Sequence, residues 1–165
     1  MTGSSDTAAY RDAMGSFATG VAVVTSVGEN GPSGLTASAI CSLSIDPLLM
    51  LVCLDRGSRT LRAIEHSGRL GVNVLAGGQE ELARGFALKG PEHEKFHGVG
   101  WTDRAGVPLL DGVVAWLAGD VTELLPGGDH LIAVVAVTHV EAPGGHPLVY
   151  FHGRFRGLDP DASGG

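Results

Sequence analysis

A chain of 165 residues is long enough for one domain with a substantial core and too short for two. Its 44% hydrophobic and 18% charged residues describe a compact globule and exclude a long disordered region. A net charge of −7, spread without acidic blocks and without Lys or Arg clusters, argues against nucleic acid as a partner.

No apolar run reaches the length of a membrane span, because Gly, Asp and Pro interrupt the runs, so no membrane association is expected. Cys41 and Cys53 sit in apolar, strand-like text with no disulfide-scaffold density around them. With no signal peptide expected, both read as buried free thiols in a cytoplasmic protein.

In chain order, residues 1–5 are expected to be a frayed start, after which Asp6 or Thr7 caps a short helix carrying Tyr10, Met14 and Phe17 at helical spacing. Residues 21–27 form a β-branched strand, and Glu29-Asn30-Gly31 supplies hairpin-turn chemistry. Residues 33–45 read as one long strand, with Leu35, Ala37, Ala39 and Cys41 on one face and hydroxyls mostly on the other. Asp46-Pro47 ends it. Residues 48–54 are so uniformly apolar that both faces should be buried.

Ser58 then caps a helix through Leu61, Ile64 and Glu65 that Gly68 stops. Residues 69–75 return as a strand, 79–88 form a short helix, 89–101 a loop of mixed charge, and 108–110 a brief strand. Residues 113–125 and 131–142 are two long strands joined through 126–130, the clearest hairpin in the sequence. A last strand, 148–155, precedes a Gly- and Asp-containing tail expected to be disordered, so the ordered core should span about residues 8–157 of a single domain. Six or seven strands without strict strand–helix alternation predict a mostly β fold, a closed or partly closed antiparallel barrel with helices packed outside.

Four segments carry candidate chemistry. Thr36, Ser38, Ser42 and Ser44, with small neighbours Ala37 and Cys41, leave a strand face open to a flat polar ligand that backbone N–H groups can approach. An ordinary solvated strand face has the same composition. Asp55-Arg56-Gly57-Ser58-Arg59-Thr60 is a strand end, a turn and a helix N-terminus, where free N–H groups, hydroxyls and arginines suit a phosphate. A plain N-cap beside a solvated arginine is the alternative. His93-Glu94-Lys95-Phe96-His97 matches the HExxH zinc pattern, but Gly90-Pro91 before it and Gly98 after it deny it a long helix. The alternative there is a charged loop from which Lys95 reaches a cofactor phosphate. Gly128-Asp129-His130 lies at the tip of the long hairpin, where a histidine can orient a planar amide such as nicotinamide. No GxGxxG sequence opens a helix after a strand, so any dinucleotide binds without a Rossmann crevice.

In this order the segments resemble the flavin reductase-like family, the short-chain reductase components of two-component flavin monooxygenases. The resemblance rests on Phe17-Ala-Thr-Gly-Val-Ala-Val-Val-Thr25, on Gly34-Leu-Thr-Ala-Ser38 with Cys41-Ser-Leu-Ser44 and Asp46-Pro47, and on Ser58-Arg-Thr60. It continues through Lys95-Phe96, Gly128-Asp129-His130 and Pro147-Leu-Val-Tyr-Phe151 to Gly153. Each motif is loose, but their ordered set spans about residues 10–157.

The resemblance implies a split β-barrel of the FMN-binding kind and a homodimer with flavin near the subunit interface. It implies an NADH:flavin oxidoreductase that uses FMN or FAD, with NADPH as the lesser donor, and passes reduced flavin by diffusion to a monooxygenase. By carry-over, Thr36, Ala37 and Ser38 line the isoalloxazine, with Cys41, Ser42 and Ser44 nearby. Ser58, Arg59 and Thr60 take the phosphate with Lys95 and Phe96. Asp129 and His130 stand on the nicotinamide side, and Tyr150, His152 and Arg154 approach flavin and nucleotide from the last strand. Ala39 and Ile40 stand where a hydroxyl and an aromatic are frequent, Leu48 where a second proline is, and His152 where arginine is common. A zinc hydrolase built on His93, Glu94 and His97, and a flavin-binding module without turnover, are the competing functions.

Overall fold

The computed structural model describes residues 4–158. Helix α1 (Ser4–Gly15) opens the chain, so its start lies upstream of the Asp6 or Thr7 cap expected from sequence. Phe17 falls beyond its end. The remaining expected fray, residues 1–3, and the tail from residue 159 lie outside the described residues.

The centre of the molecule is a seven-stranded antiparallel sheet. Its members are β2 (Ala22–Gly28), β3 (Gly31–Ala37), β4 (Ile40–Ile45), β5 (Leu48–Asp55), β6 (Arg69–Val74), β9 (Ala115–Gly127) and β10 (His130–Glu141). Their spatial order is β3-β2-β6-β9-β10-β5-β4. Strands β3 and β4 are therefore opposite edges of the sheet, yet only Ser38 and Ala39 separate them. Three Cα steps span at most about 11 Å, so at this end the two edges must lie close together. The sheet is rolled into a barrel whose edges do not pair.

The expected single strand over 33–45 is thus two strands on opposite edges. Periodicity could not reveal the break, because the alternation of small and hydroxyl residues continues through it. The Ala39 carbonyl already accepts from Cys53 N–H of β5, at 2.9 Å.

Rolling puts successive side chains on two different cores. Ala22 and Val24 of β2 point inward and meet Val72 of β6, Ala133 and Val135 of β10, and Met50, Val52 and Leu54 of β5. Leu61 and Ile64 of helix α2 (Arg59–Ser67) close this interior. Val23, Trp116 and Ala118 point outward and are covered by α3 (Glu80–Ala87), α4 (Glu92–Phe96) and the hairpin β7 (Trp101–Arg104)–β8 (Val107–Leu110). The expected loop over 89–101 thus contains α4 and the first residue of β7.

The outer hairpin is fastened by a buried polar cluster. Thr25 Oγ1 donates to the Pro108 carbonyl at 2.7 Å, Asn73 Nδ2 donates to Thr25 Oγ1 at 3.1 Å, and Leu110 N–H donates to Asn73 Oδ1 at 2.8 Å. Asn73 is fully buried, and each of its polar groups has a partner.

Three further expectations are corrected. Strand β5 is not buried on both faces: Met50, Val52 and Leu54 are buried, whereas Leu49, Leu51 and Cys53 are half-buried and Leu48 is 51% exposed. Cys41 is exposed rather than buried, because it lies on edge strand β4, and Cys53 on the neighbouring β5 is only half-buried. The last strand is a hairpin, β11 (Leu148–Phe151) and β12 (Arg154–Gly157), which forms a three-stranded sheet with β1 (Thr19–Gly20). His152 and Gly153 make its turn with φ of 45° and 72°, the left-handed pair that suits a tight hairpin.

Replacing Asn73 by Ala should leave the buried Leu110 N–H without its acceptor and the Thr25–Pro108 bond without its support, and lower unfolding free energy by about 2–4 kcal/mol. Denaturant unfolding with an unchanged m-value would show this. A loss below about 0.5 kcal/mol would mean the cluster does not fasten the hairpin.

Candidate functional site

The turn after β5 is built by local chemistry. Asp55 Oδ1 accepts from Gly57 N–H at 2.6 Å, and the Asp55 carbonyl accepts from Ser58 N–H at 3.0 Å. Ser58 then takes an extended conformation, and its Oγ accepts from Leu61 N–H at 3.0 Å, the N-cap expected from sequence. The remaining first-turn N–H groups of α2, on Arg59 and Thr60, have no helical acceptor, and both residues line a pocket of about 400 Å³. Leu35 and Thr36 of β3, Phe86 and Ala87 of α3, and Lys89, Gly90, Glu92 and Lys95 complete its wall.

Both lysines of the sequence, Lys89 and Lys95, line this one pocket. Lys95 is only 10% exposed and sits 3.1 Å from Glu92 Oε1. Its Nζ also donates to the Gly34 carbonyl at 3.0 Å, while Glu92 Oε2 accepts from Gly34 N–H at 2.9 Å. The two side chains therefore satisfy both outward backbone groups of one residue on edge strand β3, as a neighbouring strand would. Gly34 is required there, because a Cβ would stand 2.6 Å from the Phe86 ring. This clamp fixes the Lys95 ammonium at the pocket with a donor to spare. Arg59 donates to the Gly90 carbonyl and arches over the pocket rim.

The tip of the β9–β10 hairpin is held beside the turn that follows β5. Strand β10 begins at His130, so the turn is only Gly128-Asp129, shorter than the expected 126–130. Arg56 N–H donates to the Asp129 carbonyl at 3.1 Å, and Arg56 Nε donates to the Gly128 carbonyl at 3.0 Å. His130 lies directly across the ladder from Asp55. Its Nδ1 is 2.8 Å from Asp129 Oδ1, and this hydrogen bond, aided by imidazole charge, holds the Asp129 carboxyl below its usual range.

The structure brings Thr36, Ser58, Arg59, Thr60 and Lys95 to one pocket from three separate segments, while Asp129 and His130 sit beside the Asp55-Arg56 turn and do not line that pocket. Thr36 Oγ1 donates to the Ala83 carbonyl at 2.7 Å, and buried Thr60 shares its hydroxyl with Ser33 at 3.1 Å. Both hydroxyls are already engaged. Phe96 is buried against Phe86 and Trp101 in edge-to-face contacts, so it supports the pocket wall from behind.

The other expected site residues lie elsewhere. Cys41, Ser42 and Ser44 line a separate apolar groove of about 370 Å³ with Ile45, Leu48 and Val140. Ala37 and exposed Ser38 stand between the two places, at the crossover. Tyr150, His152 and Arg154 belong to the β11–β12 hairpin. Tyr150 packs on Phe155, and His152 lies 3.3 Å from Ser16 Oγ beside the end of α1. Glu92, Lys89 and Gly34 were not read as site residues. The confinement of the only two lysines to one seven-residue stretch was the available signal for Lys89.

The HExxH segment, residues 93–97, overlaps the five-residue helix Glu92–Phe96, leaving His97 as its C-cap and outside it. Among the described residues no group of three or more His, Cys, Asp or Glu side chains is arranged to hold a metal ion. No helix among them is long and apolar enough to cross a membrane.

Comparison with known proteins places this geometry. A family model described as a flavin reductase like domain matches residues 14–159. The reductase subunit HsaB of a flavin-dependent monooxygenase from Mycobacterium tuberculosis is 34% identical over 165 residues, covering 98% of this chain and 87% of that protein. An NADH-dependent flavin reductase from Rhodococcus sp. is 40% identical over 152 residues, covering 90% and 85%. Among solved structures, the NADH:FAD oxidoreductase SgcE6 of Streptomyces globisporus, in complex with NAD and FAD fragments, superposes with a TM-score of 0.89 at 34% identity, covering 99% of each chain. The seven-stranded rolled sheet, the phosphate-suited turn before α2 and the match over nearly the whole length agree: the chain belongs to the flavin reductase-like family.

Proposed function

We propose that the protein is an NADH:flavin oxidoreductase that delivers reduced flavin to a separate monooxygenase. The observation that carries this reading is the meeting of the α2 N-terminus and Lys95 in one pocket, with the Asp129-His130 tip bonded to the turn that leads into α2. Phosphate suits the free N–H groups of Arg59 and Thr60, the Ser58 hydroxyl and the Lys95 ammonium, all donors on one side of the pocket. The donor set fits a flavin phosphate.

A bound flavin supplies a hydride acceptor at N5, and a nicotinamide supplies the donor at C4. The chain's own residues bind and orient these rings. Thr36, Ala37 and Ser38 offer small side chains and main-chain groups beside the phosphate site, close enough for donors that favour a negatively charged ring. His130, held by Asp129 and anchored through Arg56, orients the nicotinamide amide. No acid, base or nucleophile of the chain is required, because the work is positioning.

The names of the relatives support NADH over NADPH and a monooxygenase as the recipient of reduced flavin. A homodimer is part of the reading. Ile45, Leu48 and Val140 are 79%, 51% and 57% exposed around the apolar groove that Cys41, Ser42 and Ser44 line. Apolar side chains clustered in this way fit a protein interface. A second copy seated there would bring the β4 residues to a flavin held near the crossover. A protein that consumes NADH would work in the cytoplasm, where two free thiols such as Cys41 and Cys53 stay reduced.

Two substitutions test the assignment of ends. Lys95→Met should weaken flavin binding about 10- to 100-fold, measured by titration of flavin fluorescence, through loss of a charge-assisted hydrogen bond. Unchanged flavin affinity would move the phosphate elsewhere. His130→Ala should raise the apparent KM for NADH more than it weakens flavin binding; the opposite pattern would remove the nicotinamide role.

A further inference from the structure

A carboxylate stands in a pocket otherwise suited to an anion. Glu92 lines the same cavity of about 400 Å³ as Arg59, Lys89 and Lys95. Its Oε1 lies 3.1 Å from the Lys95 ammonium, and its Oε2 accepts from Gly34 N–H at 2.9 Å. The other carboxylate of the wall, Asp55, is engaged by Gly57 N–H in its own turn. Three cations and two carboxylates leave the wall with a single net positive charge. A phosphate monoester carries about 1.5 to 2 negative charges at neutral pH, so this wall neutralises it incompletely.

Sealing the edge of β3 does not call for that charge. Gly34 N–H needs one acceptor, and Lys95 Nζ already donates to the Gly34 carbonyl at 3.0 Å. The oxygen of a glutamine amide serves the first bond and leaves the second in place. What the carboxylate adds is a negative charge beside the ammonium that a phosphate uses. Lys95 is 10% exposed and Glu92 16%, so water screens that charge little. Like charges about 4–6 Å apart in such surroundings change an affinity by about tenfold or more.

We propose that Glu92 tempers the phosphate pocket: its carboxylate offsets Lys95 and keeps phosphate-bearing flavin exchangeable. The proposal rests on the reading of this pocket as the flavin-phosphate site. A reductase that passes its product on by diffusion works only if reduced flavin leaves. Association rates vary little among variants of one site, so a weakened phosphate contact emerges as faster release. Because the lever acts on the phosphate, it speeds exchange without altering how the flavin ring meets the nicotinamide.

The test compares FMN with riboflavin, which has the same ring and no phosphate, on the full-length protein by fluorescence titration and stopped-flow release. Glu92→Gln should lower the Kd for FMN about tenfold, slow FMN release by a similar factor and leave riboflavin affinity unchanged. Glu92→Asp keeps the charge while shortening its reach, and should not tighten FMN binding. Thermal melting checks that both variants fold. One measurement needs no variant: FMN should bind the unaltered protein less than about a hundredfold better than riboflavin. A larger gain overturns the proposal. So does weaker or unchanged FMN binding in folded Glu92→Gln, equal tightening of riboflavin, or tightening of FMN by Glu92→Asp. Tighter FMN binding in Glu92→Gln with no NADH oxidation by the unaltered protein would uphold the tempering role and retire the reductase reading instead.

Discussion

The two-residue link between β3 and β4 is the constraint on which the rest of the molecule depends. Neighbours in sequence, these strands occupy opposite edges of a seven-stranded sheet, and Ser38-Ala39 can join them only if the sheet rolls up. Rolling creates the inner core of β2, β5, β6 and β10, and it turns the other face of β2, β6 and β9 outward for α3, α4 and the β7–β8 hairpin to cover. It also leaves β3 with an unpaired edge. The Glu92–Lys95 pair meets that edge at Gly34, and in doing so delivers a cation to the pocket. The site is therefore a product of how an open barrel manages its seam.

What the sequence made legible was local. The Ser58 cap and the Gly68 stop formed where they were expected, and the long β9–β10 hairpin did so with a shorter turn, because each depends on residues within a few positions of one another. The ordered motifs also identified the family, because their sequence of spacings is more specific than any one of them. What stayed illegible depends on partners distant in the chain. The break at Ser38-Ala39 shows no local signal, since small and hydroxyl residues alternate straight through it. Phe96 reads as a ligand-facing aromatic beside Lys95, yet helix α4 sends the two to opposite sides, one to the core and one to the pocket. His152 hides a turn within an apparently continuous strand, because its left-handed φ is marked only by the glycine that follows.

The site itself was half legible. The proposed phosphate end follows from helix-terminus chemistry that any reader of residues 55–60 can derive. The hairpin-tip histidine was also named from sequence, but its position beside the Asp55-Arg56 turn was not, because Arg56 bonds Gly128 across 72 positions of sequence. The residues of β4 lie on a groove apart from the pocket, where sequence proximity to Thr36 and Ser38 had grouped them with it.

The most direct measurement is anaerobic mixing of the protein with NADH and either FMN or FAD, following the NADH and oxidised-flavin absorbance bands together. The account predicts that both bands are lost in equal amounts, at a rate that saturates with flavin, and that neither changes without the protein. Flavin that binds while NADH stays unconsumed would contradict it and leave a binding module.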